Sequence, residues 1–462
     1  VVIFDFSDPR NPTTIAQHLT DSPANAISLA GGIVWVGLDD GTLFSMDAVH
    51  GYKINQTNFS AKIEEIIFMD GTLHVSTGYS LKVIHAQNGF FETNDDGTIE
   101  ETTYSTYGST PWRGGRRLFV GVGFAYLTNY NGFTHFDLSS PDQSYGTQIS
   151  TQSFGWRRIV ANGSGLALSA EGLFAWRSSD VSLYTVDSNG SFLREGGFLE
   201  NFETTFRTLG NAQDISVYNG LAYAADGNRG LQVINYRAYE KGSTPPDILD
   251  ILSNDNNGSV EESSTFSLGV VVSDDIQVKY VEFWVDGNLT KTDGSYPFST
   301  NYLVPRLADE QNFTTQIKVF DTGGNETNSS IQTWTISPDT TPPVLIDVLP
   351  REGSILLAGD TILALFNEAI DPASVNNTTV EFKDISDPSN PLDVNDLNIT
   401  YDDRLNAIQV KLPSYIAPGD YQVTFTTDIK DTLGNDLSQS KSQTFIGPSE
   451  IHGALWFDAN HD

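Results

Sequence analysis

Three oxygen-bearing side chains near the end of the chain, Asp458, Asn460 and Asp462, are spaced i, i+2, i+4. Alternate residues of a tight loop aim their oxygens at one centre, and calcium takes about 6–8 oxygen ligands. The spacing therefore implies calcium as the cofactor, with half a loop of donors in the sequence. Other chemistry-bearing residues are scattered. The histidines stand at 18, 50, 74, 85, 135, 452 and 461. His74, His85 and His135 fall in or beside apolar strand segments, either as packing residues or as metal ligands converging on a shared axis. Glu368 stands at a strand-to-turn edge and reads as a solvated or turn-capping residue. Arginines keep a rhythm: Trp112-Arg113, Arg116-Arg117, Trp156-Arg157-Arg158 and Phe206-Arg207, each shortly before a strand pair. They either brace neighbouring repeats or line a pocket for a polar ligand. No Gly-x-Ser-x-Gly, His-Glu-x-x-His or Walker loop occurs. The acidic pairs Asp39-Asp40 and Asp95-Asp96 would point apart on a strand and suit turns. No catalytic residue is assigned, and an enzyme is not expected.

The elements that must position these residues belong to a chain of 462 residues, long enough for about three domains. Lys plus Arg number 25 against 59 Asp plus Glu, a net charge of −34. Such a surface repels nucleic acid and anionic membrane, because phosphates would lack cationic partners. Aromatic residues at 11% and 40 glycines fit packed structure rather than disorder. The absence of cysteine excludes disulfides, zinc ribbons, iron–sulfur clusters and thiol catalysis. No apolar run reaches the length of a membrane span, and no basic-then-apolar leader is visible. The chain opens inside an alternating run, Val1 to Phe6, and stops in a turn, which reads as a piece of a longer protein. Twelve Asn-x-Ser/Thr triplets, Asn58, Asn162, Asn288 and Asn398 among them, are mostly the chance product of an Asn-, Ser- and Thr-rich composition.

The first half repeats one unit: a short apolar strand, a glycine turn, a second apolar strand and an Asp-containing turn. Copies run from Ile33 to Asp47, Leu73 to His85, Ala125 to Asp137, Leu166 to Asp187 and Leu221 to Asn235. Val2 to Asp5 is the tail of another. The landmarks Asp5, Asp47, His85, Asp137, Asp187 and Asn235 recur every 38–52 residues. Apolar spacing of two excludes helical solenoids, and four short strands need about 40–50 residues, the period of a propeller blade. A strand pair is marginal alone, so such blades must stack face to face.

Phe4-Asp5-Phe6-Ser7-Asp8-Pro9 and Ala222-Tyr223-Ala224-Ala225-Asp226-Gly227-Asn228-Arg229-Gly230-Leu231-Gln232-Val233-Ile234 resemble the LVIVD repeat of secreted bacterial β-propellers. Met46-Asp47-Ala48 and Ile84-His85-Ala86 resemble turns of quinoprotein-like blades. The resemblance implies a fold but no fixed chemistry.

Two matching linkers punctuate the second half, Thr244-Pro245-Pro246 and Thr341-Pro342-Pro343. The interval suits one sandwich of about 100 residues. Within it, Val278–Val285 alternates, and Asp321-Thr322-Gly323-Gly324-Asn325 is a turn; these resemble bacterial Ig-like surface modules. Leu363-Ala364-Leu365-Phe366-Asn367-Glu368 and Asp431-Thr432-Leu433-Gly434-Asn435 resemble the Ig-like module of S-layer and related exported proteins. Ile451 to Asp462 resembles the opening of a B-type repeat of serine-aspartate adhesins, whose equivalent turn is a calcium loop.

The expectation is an all-β chain: a partial β-propeller of about six blades at 1–238, Ig-like sandwiches at 245–338 and 342–446, and a truncated further module at 449–462. The function expected is extracellular or cell-surface binding and adhesion, with an extracellular protein or glycan as partner. The alternatives are an enzyme with its site in the propeller funnel, a lyase, hydrolase or quinoprotein-like catalyst, and a structural surface-layer component.

Overall fold

A computed structural model describes residues 1–447 apart from 6–7, 31, 49–52, 70, 78–79, 88, 95–97, 107–116, 130–131, 141–144, 151–153, 173–178, 193, 196–197, 200–201, 256 and 387–396. The described residues form strands, turns and two short 3-10 turns, with no α-helix among them. The fold is all-β, as the alternating sequence predicts. Two compact units divide the chain, Val1–Pro338 and Asp339–Asp462.

Unit one begins with a hairpin, Val2–Asp5 with Thr13–Gln17. Sheet meanders follow in chain order. The first is Ala24–Ala30, Ile33–Leu38, Thr42–Asp47 and Lys53–Asn58; the second is Ile63–Met69, Thr72–Thr77, Ser80–Gln87 and Glu101–Thr106. The third is Leu118–Gly121, Phe124–Asn129, Gly132–Asp137 and Tyr145–Ser150; the fourth is Phe154–Ala161, Leu166–Gly172, Ser179–Thr185 and Phe202–Phe206. The fifth has three strands, Asp214–Tyr218, Leu221–Ala225 and Leu231–Ile234. These follow the repeat anticipated from the sequence, except that the second and third meanders are continuous as one nine-stranded sheet, joined by the parallel pairing of Ser105 with Tyr145 and of Thr106 with Gly146.

Each sheet turns from its first to its second strand through a glycine at positive φ: Gly32, Gly71, Gly123, Gly165 and Gly220, at 73–79°. A Cβ there would be strained, which is why the repeat keeps glycine. In the first four sheets that glycine's carbonyl accepts from a backbone N–H at the end of the third strand, of Ala48, Ala86, Leu138 and Val186. This bond fixes the true register of the repeat. It aligns Asp47, His85 and Asp137 with Thr185, so the sequence landmark Asp187 lies two residues beyond its structural equivalents.

Burial follows stacking. Ile33–Leu38 is buried at every position, because sheets cover both of its faces. Strands of an Ig-like sandwich, wet on one face, alternate instead, as Thr265–Ser273 does. Sheets three to five share one aromatic core containing Tyr126, Phe133, Trp156, Tyr184 and Phe192.

The first strands converge. Arg158, in the first strand of sheet four, reaches Glu65 in the first strand of sheet two at 2.7 Å and Asp214 in the first strand of sheet five at 3.6 Å. Arg117, just before sheet three, stands 3.8 Å from the same Glu65.

The first Ig-like sandwich packs Asp247–Ser253, Thr265–Ser273 and Phe298–Leu303 against a second sheet led by Val278–Val285, Asn312–Asp321 and Gln332–Ser337. Phe266, Phe283, Phe313 and Trp334 fill the space between them. This sandwich seats on the glycine turns of the blades. Tyr296 Oη accepts from the backbone N–H of Val122 at 3.0 Å, and its ring lies against Phe119 and Phe124. A Cβ on Gly163 would come within 2.4 Å of that ring. The backbone N–H of Val278 donates to Ser164 Oγ at 3.0 Å, and Gln277 Nε2 donates to the carbonyl of Gly220 at 3.3 Å. The Lys241–Pro246 linker therefore joins two parts of one compact unit.

Unit two packs Leu345–Leu349, Thr361–Phe366, Ala407–Lys411 and Asn398–Asp402 against Val380–Asp384, Asp420–Phe425 and Lys441–Ile446. Phe366, Phe382, Tyr421 and Phe425 are fully buried at its centre.

Two expectations follow. Arg158→Met leaves the Glu65 carboxylate with the weaker Arg117 contact, and should cost about 2 kcal/mol in denaturant melts, below the full penalty for breaking a wholly buried pair. Tyr296→Ala should destabilise residues 1–338 by about 3 kcal/mol and speed amide exchange at 122–123 and 162–165, leaving 345–446 unchanged.

Candidate carboxylate centres and the sequence-flagged residues

Asp458, Asn460 and Asp462 lie outside the described residues, as do His50, His452, His461, Arg113, Arg116 and Asp95-Asp96. His74 and His85 stand on neighbouring strands of sheet two; pairing of Thr72 with His85 and of His74 with Val83 puts both imidazoles on one face. His135 sits on sheet three, its Nε2 2.9 Å from the Asn189 carbonyl. Among the described residues, no group of ligating side chains unites these three. Three arginines of the sequence rhythm, Arg117, Arg157 and Arg158, meet polar partners from other repeats. Arg117 and Arg158 share Glu65, and Arg157 Nη1 donates to Gln213 Oε1 at 2.6 Å. Asn162, flagged as a glycosylation triplet, is buried; its Oδ1 accepts from the backbone N–H groups of Ser164 and Leu166. It shapes the turn that carries the Tyr296 seat.

Chemistry concentrates instead where each Ig-like module receives its linker. Both modules carry a loop of sequence Asp-Thr-x-Gly-Asn, at 321–325 and at 431–435. In each, the aspartate is almost fully buried, accepts from the backbone and side-chain amides of its own asparagine, and closes the loop through its N–H. The asparagine side chain also reaches the incoming linker. Asn325 Nδ2 donates to the carbonyls of Gly242 and Thr244 at 3.4 Å, and Asn435 Nδ2 to the carbonyl of Asp339 at 3.2 Å.

The linker brings a carboxylate with it. Asp339, Glu368 and Asp431 offer oxygens all within 4.8 Å of one another, and so do Glu240, Asp274 and Asp275 in the first module. These donors are hard oxygens, the type that calcium and magnesium take. Like charges held this close raise the affinity of one member for a proton. Burial first, then the charges of Asp339 and Asp431, pushes Glu368 up to about 7. Glu240 is raised by desolvation and by the neighbouring Asp321 and Asp275, and Asp274 chiefly by burial. Glu368, read from the sequence as a solvated or turn-capping residue, is thus a half-buried member of a three-acid centre. Its partners lie about 30 and 60 residues away, and the signal that could have found them is the repeated Asp-Thr-x-Gly-Asn loop after each Thr-Pro-Pro linker.

The sign of the pH dependence follows. A carboxyl whose folded value is raised stabilises the fold below its ordinary value of 4.5, and that stabilisation is lost as pH rises towards 7. Glu368→Gln should therefore raise the stability of the second module by about 1 kcal/mol at pH 8, after allowance for solvent screening, and leave it nearly unchanged at pH 4. Urea melts at the two pH values check this.

Residues 339–446 match the bacterial Ig-like domain family, and residues 249–319 match a second bacterial Ig domain family. No curated protein matches the chain. Among solved structures, the chain is similar to BamB from Moraxella catarrhalis at 13% identity, over 48% of this chain and 63% of that one, with a TM-score of 0.34. That match spans less than two thirds of BamB. A computationally designed protein, Ika8, aligns at 11% identity over 75% of this chain and 93% of its own, with a TM-score of 0.31. The fibronectin(III)-like modules of CbhA from Clostridium thermocellum align at 17% identity over 20% of this chain and 97% of theirs, with a TM-score of 0.16. The C-terminal part of the chain thus carries two bacterial Ig-like domains, modules typical of surface proteins.

Proposed function

We propose that the chain is an extracellular or cell-surface binding protein, with the blade array as recognition head and the Ig-like modules as stalk. Its partner is an extracellular protein or glycan, and its work is adhesion without turnover. The observation that carries this reading is the fusion of blades and first module in one compact unit, 1–338, with the second module in a unit of its own. A recognition surface anchored on a module of its own stalk is held against solvent drag and against the pull of a bound partner. The net charge of −34 disfavours anionic surfaces as partners. Within this reading the blades are of the LVIVD type, the second module is of the S-layer type, and residues 449–462 begin an adhesin-like repeat. Calcium at Asp458, Asn460 and Asp462 belongs to the proposal on the strength of their spacing.

The test presents the full chain, and variants ending at 338 or beginning at 339, to arrays of matrix proteins and glycans with and without EDTA. Saturable binding that survives in 1–338 and is absent from 339–462 is expected. Binding confined to 339–462, or no binding at all, rejects the head-and-stalk reading.

A further inference from the structure

The blade array ends in two bare apolar faces, and its internal sheets show what such faces meet. In the first four sheets, the third-strand residue paired with the fifth position after the turn glycine is fully buried. These residues are Leu43, Leu81, Phe133 and Val181. Their counterpart in sheet five, Leu231 opposite Ala225, is 64% exposed, and Val233 on the same face is 56% exposed. The opposite face repeats in the same way. Five positions before the glycine stand Ile66, Leu118, Val160 and Ile215, none more than 5% exposed. Their counterpart in sheet one, Ile27, is 63% exposed, and Leu29 beside it is 67% exposed. Bare apolar surface of this kind marks a contact surface.

The two faces are partners. Gly37, on the face of Leu43, backs onto sheet two so closely that a Cβ would come within 2.4 Å of Ile63 and 3.1 Å of Ile66. Leu81 shares a core with Leu118, and Val181 with Ile215. Each of these joints sets a face of the Leu43 kind on a face of the Ile66 kind. Leu231 and Val233 present the first kind with no sheet beyond them, and Ile27 and Leu29 the second kind.

What already lies on sheet one identifies the occupant. The hairpin Val2–Asp5 with Thr13–Gln17 lays Val1 and Ile3 on Val34, Val36, Phe44 and Met46, the second and third strands of that face. Ile27 and Leu29, paired with Val36 and Val34 on the first strand, stay bare. Asp5 is the hairpin's landmark, the counterpart of Asp47, so the hairpin is the third and fourth strands of a blade. In sheets one to four the strands follow one another in chain order from first to fourth. The inner pair of the hairpin's blade therefore precedes Val2 in sequence. Sheets one and two open at Ala24 and Ile63, ahead of the landmarks Asp47 and His85, and the same spacing puts the inner pair directly ahead of Val1. A whole sheet from a second copy suits this place less well, because the hairpin already holds the outer half of the face and what remains is the place of an inner pair.

We propose that residues preceding Val1 in the full protein form this inner strand pair, joined by a glycine turn like that at Gly32. The pair buries Ile27 and Leu29 on one side. On the other, together with the exposed Val2 and Phe4 of the hairpin, it meets Leu231 and Val233 and closes the array into a ring of six sheets. The inference concerns how the head is completed and does not depend on what the head binds.

The chain has no cysteine, so single introduced thiols report exposure without background. Leu29→Cys and Val233→Cys are made in residues 1–462 and in the full protein extended upstream in its own reading frame. Ser442→Cys, exposed in the second module, is the control. Maleimide labelling at 29 and 233 is expected to be at least tenfold slower in the full protein than in residues 1–462, with the control equal in both. Equal labelling in the two lengths overturns the proposal. Protection at 29 without protection at 233 overturns the closed ring. Protection in residues 1–462 alone that grows with protein concentration assigns the faces to a second copy and overturns the upstream pair. Should Leu29→Cys melt early, Ile27→Cys reads the same face.

Discussion

One guanidinium ties three sheets of the blade array together. Arg158 contacts carboxylates from two other sheets, Glu65 and Asp214, and those sheets are not sequence neighbours of each other. Such contacts form only if the first strands of successive sheets converge, since an arginine spans about 7 Å from its Cα. With the first strands drawn to one place, the glycine turns that follow them come out at a common end. That shared end is what the first Ig-like module sits on, through Tyr296, Val278 and Gln277.

Much of this architecture was legible from local pattern. Strand, glycine turn, strand is a short-range signal, and the five glycines that announce it all adopt the left-handed conformation the turn demands. The two Thr-Pro-Pro linkers and the twin Asp-Thr-x-Gly-Asn loops likewise stand out within a few residues. What escaped is long-range. Nothing near Arg158 in the sequence names Glu65, 93 residues away. The composition of Lys241–Pro246 reads as a spacer, yet the modules on either side dock, because the docking residues Tyr296 and Gln277 lie in loops whose neighbours give no hint of a partner. The register error at Asp187 has the same root: the aspartate resembles its counterparts in type, whereas the hydrogen bond to Gly165 that defines the repeat belongs to Val186.

The two three-acid centres show how an acidic chain distributes its charge. Most of its carboxylates are on the surface, where water screens them. Asp321 and Asp431 are exceptions, buried and satisfied by amides of their own loops. Their neighbours Glu240 and Glu368 carry the electrostatic consequence by holding protons more tightly. Charge that is fixed by loop geometry in one residue thus becomes pH sensitivity in the next.

The asparagine bonds to the linkers also have a mechanical meaning. In the second module Asn435 holds the inlet at Asp339, and the backbone N–H of Ser438 holds it again at the carbonyl of Pro343. A few residues later the chain enters the strand Lys441–Ile446. Tension applied to the inlet therefore reaches the outgoing strand through a short bridge of loop, rather than by shearing the sheet that begins at Leu345. The first module repeats the device, with Asn325 gripping Gly242 and Thr244 shortly before Gln332–Ser337. Each sandwich is thereby wired as a bypass, and its hydrophobic core bears load only after the clamp at its mouth has let go.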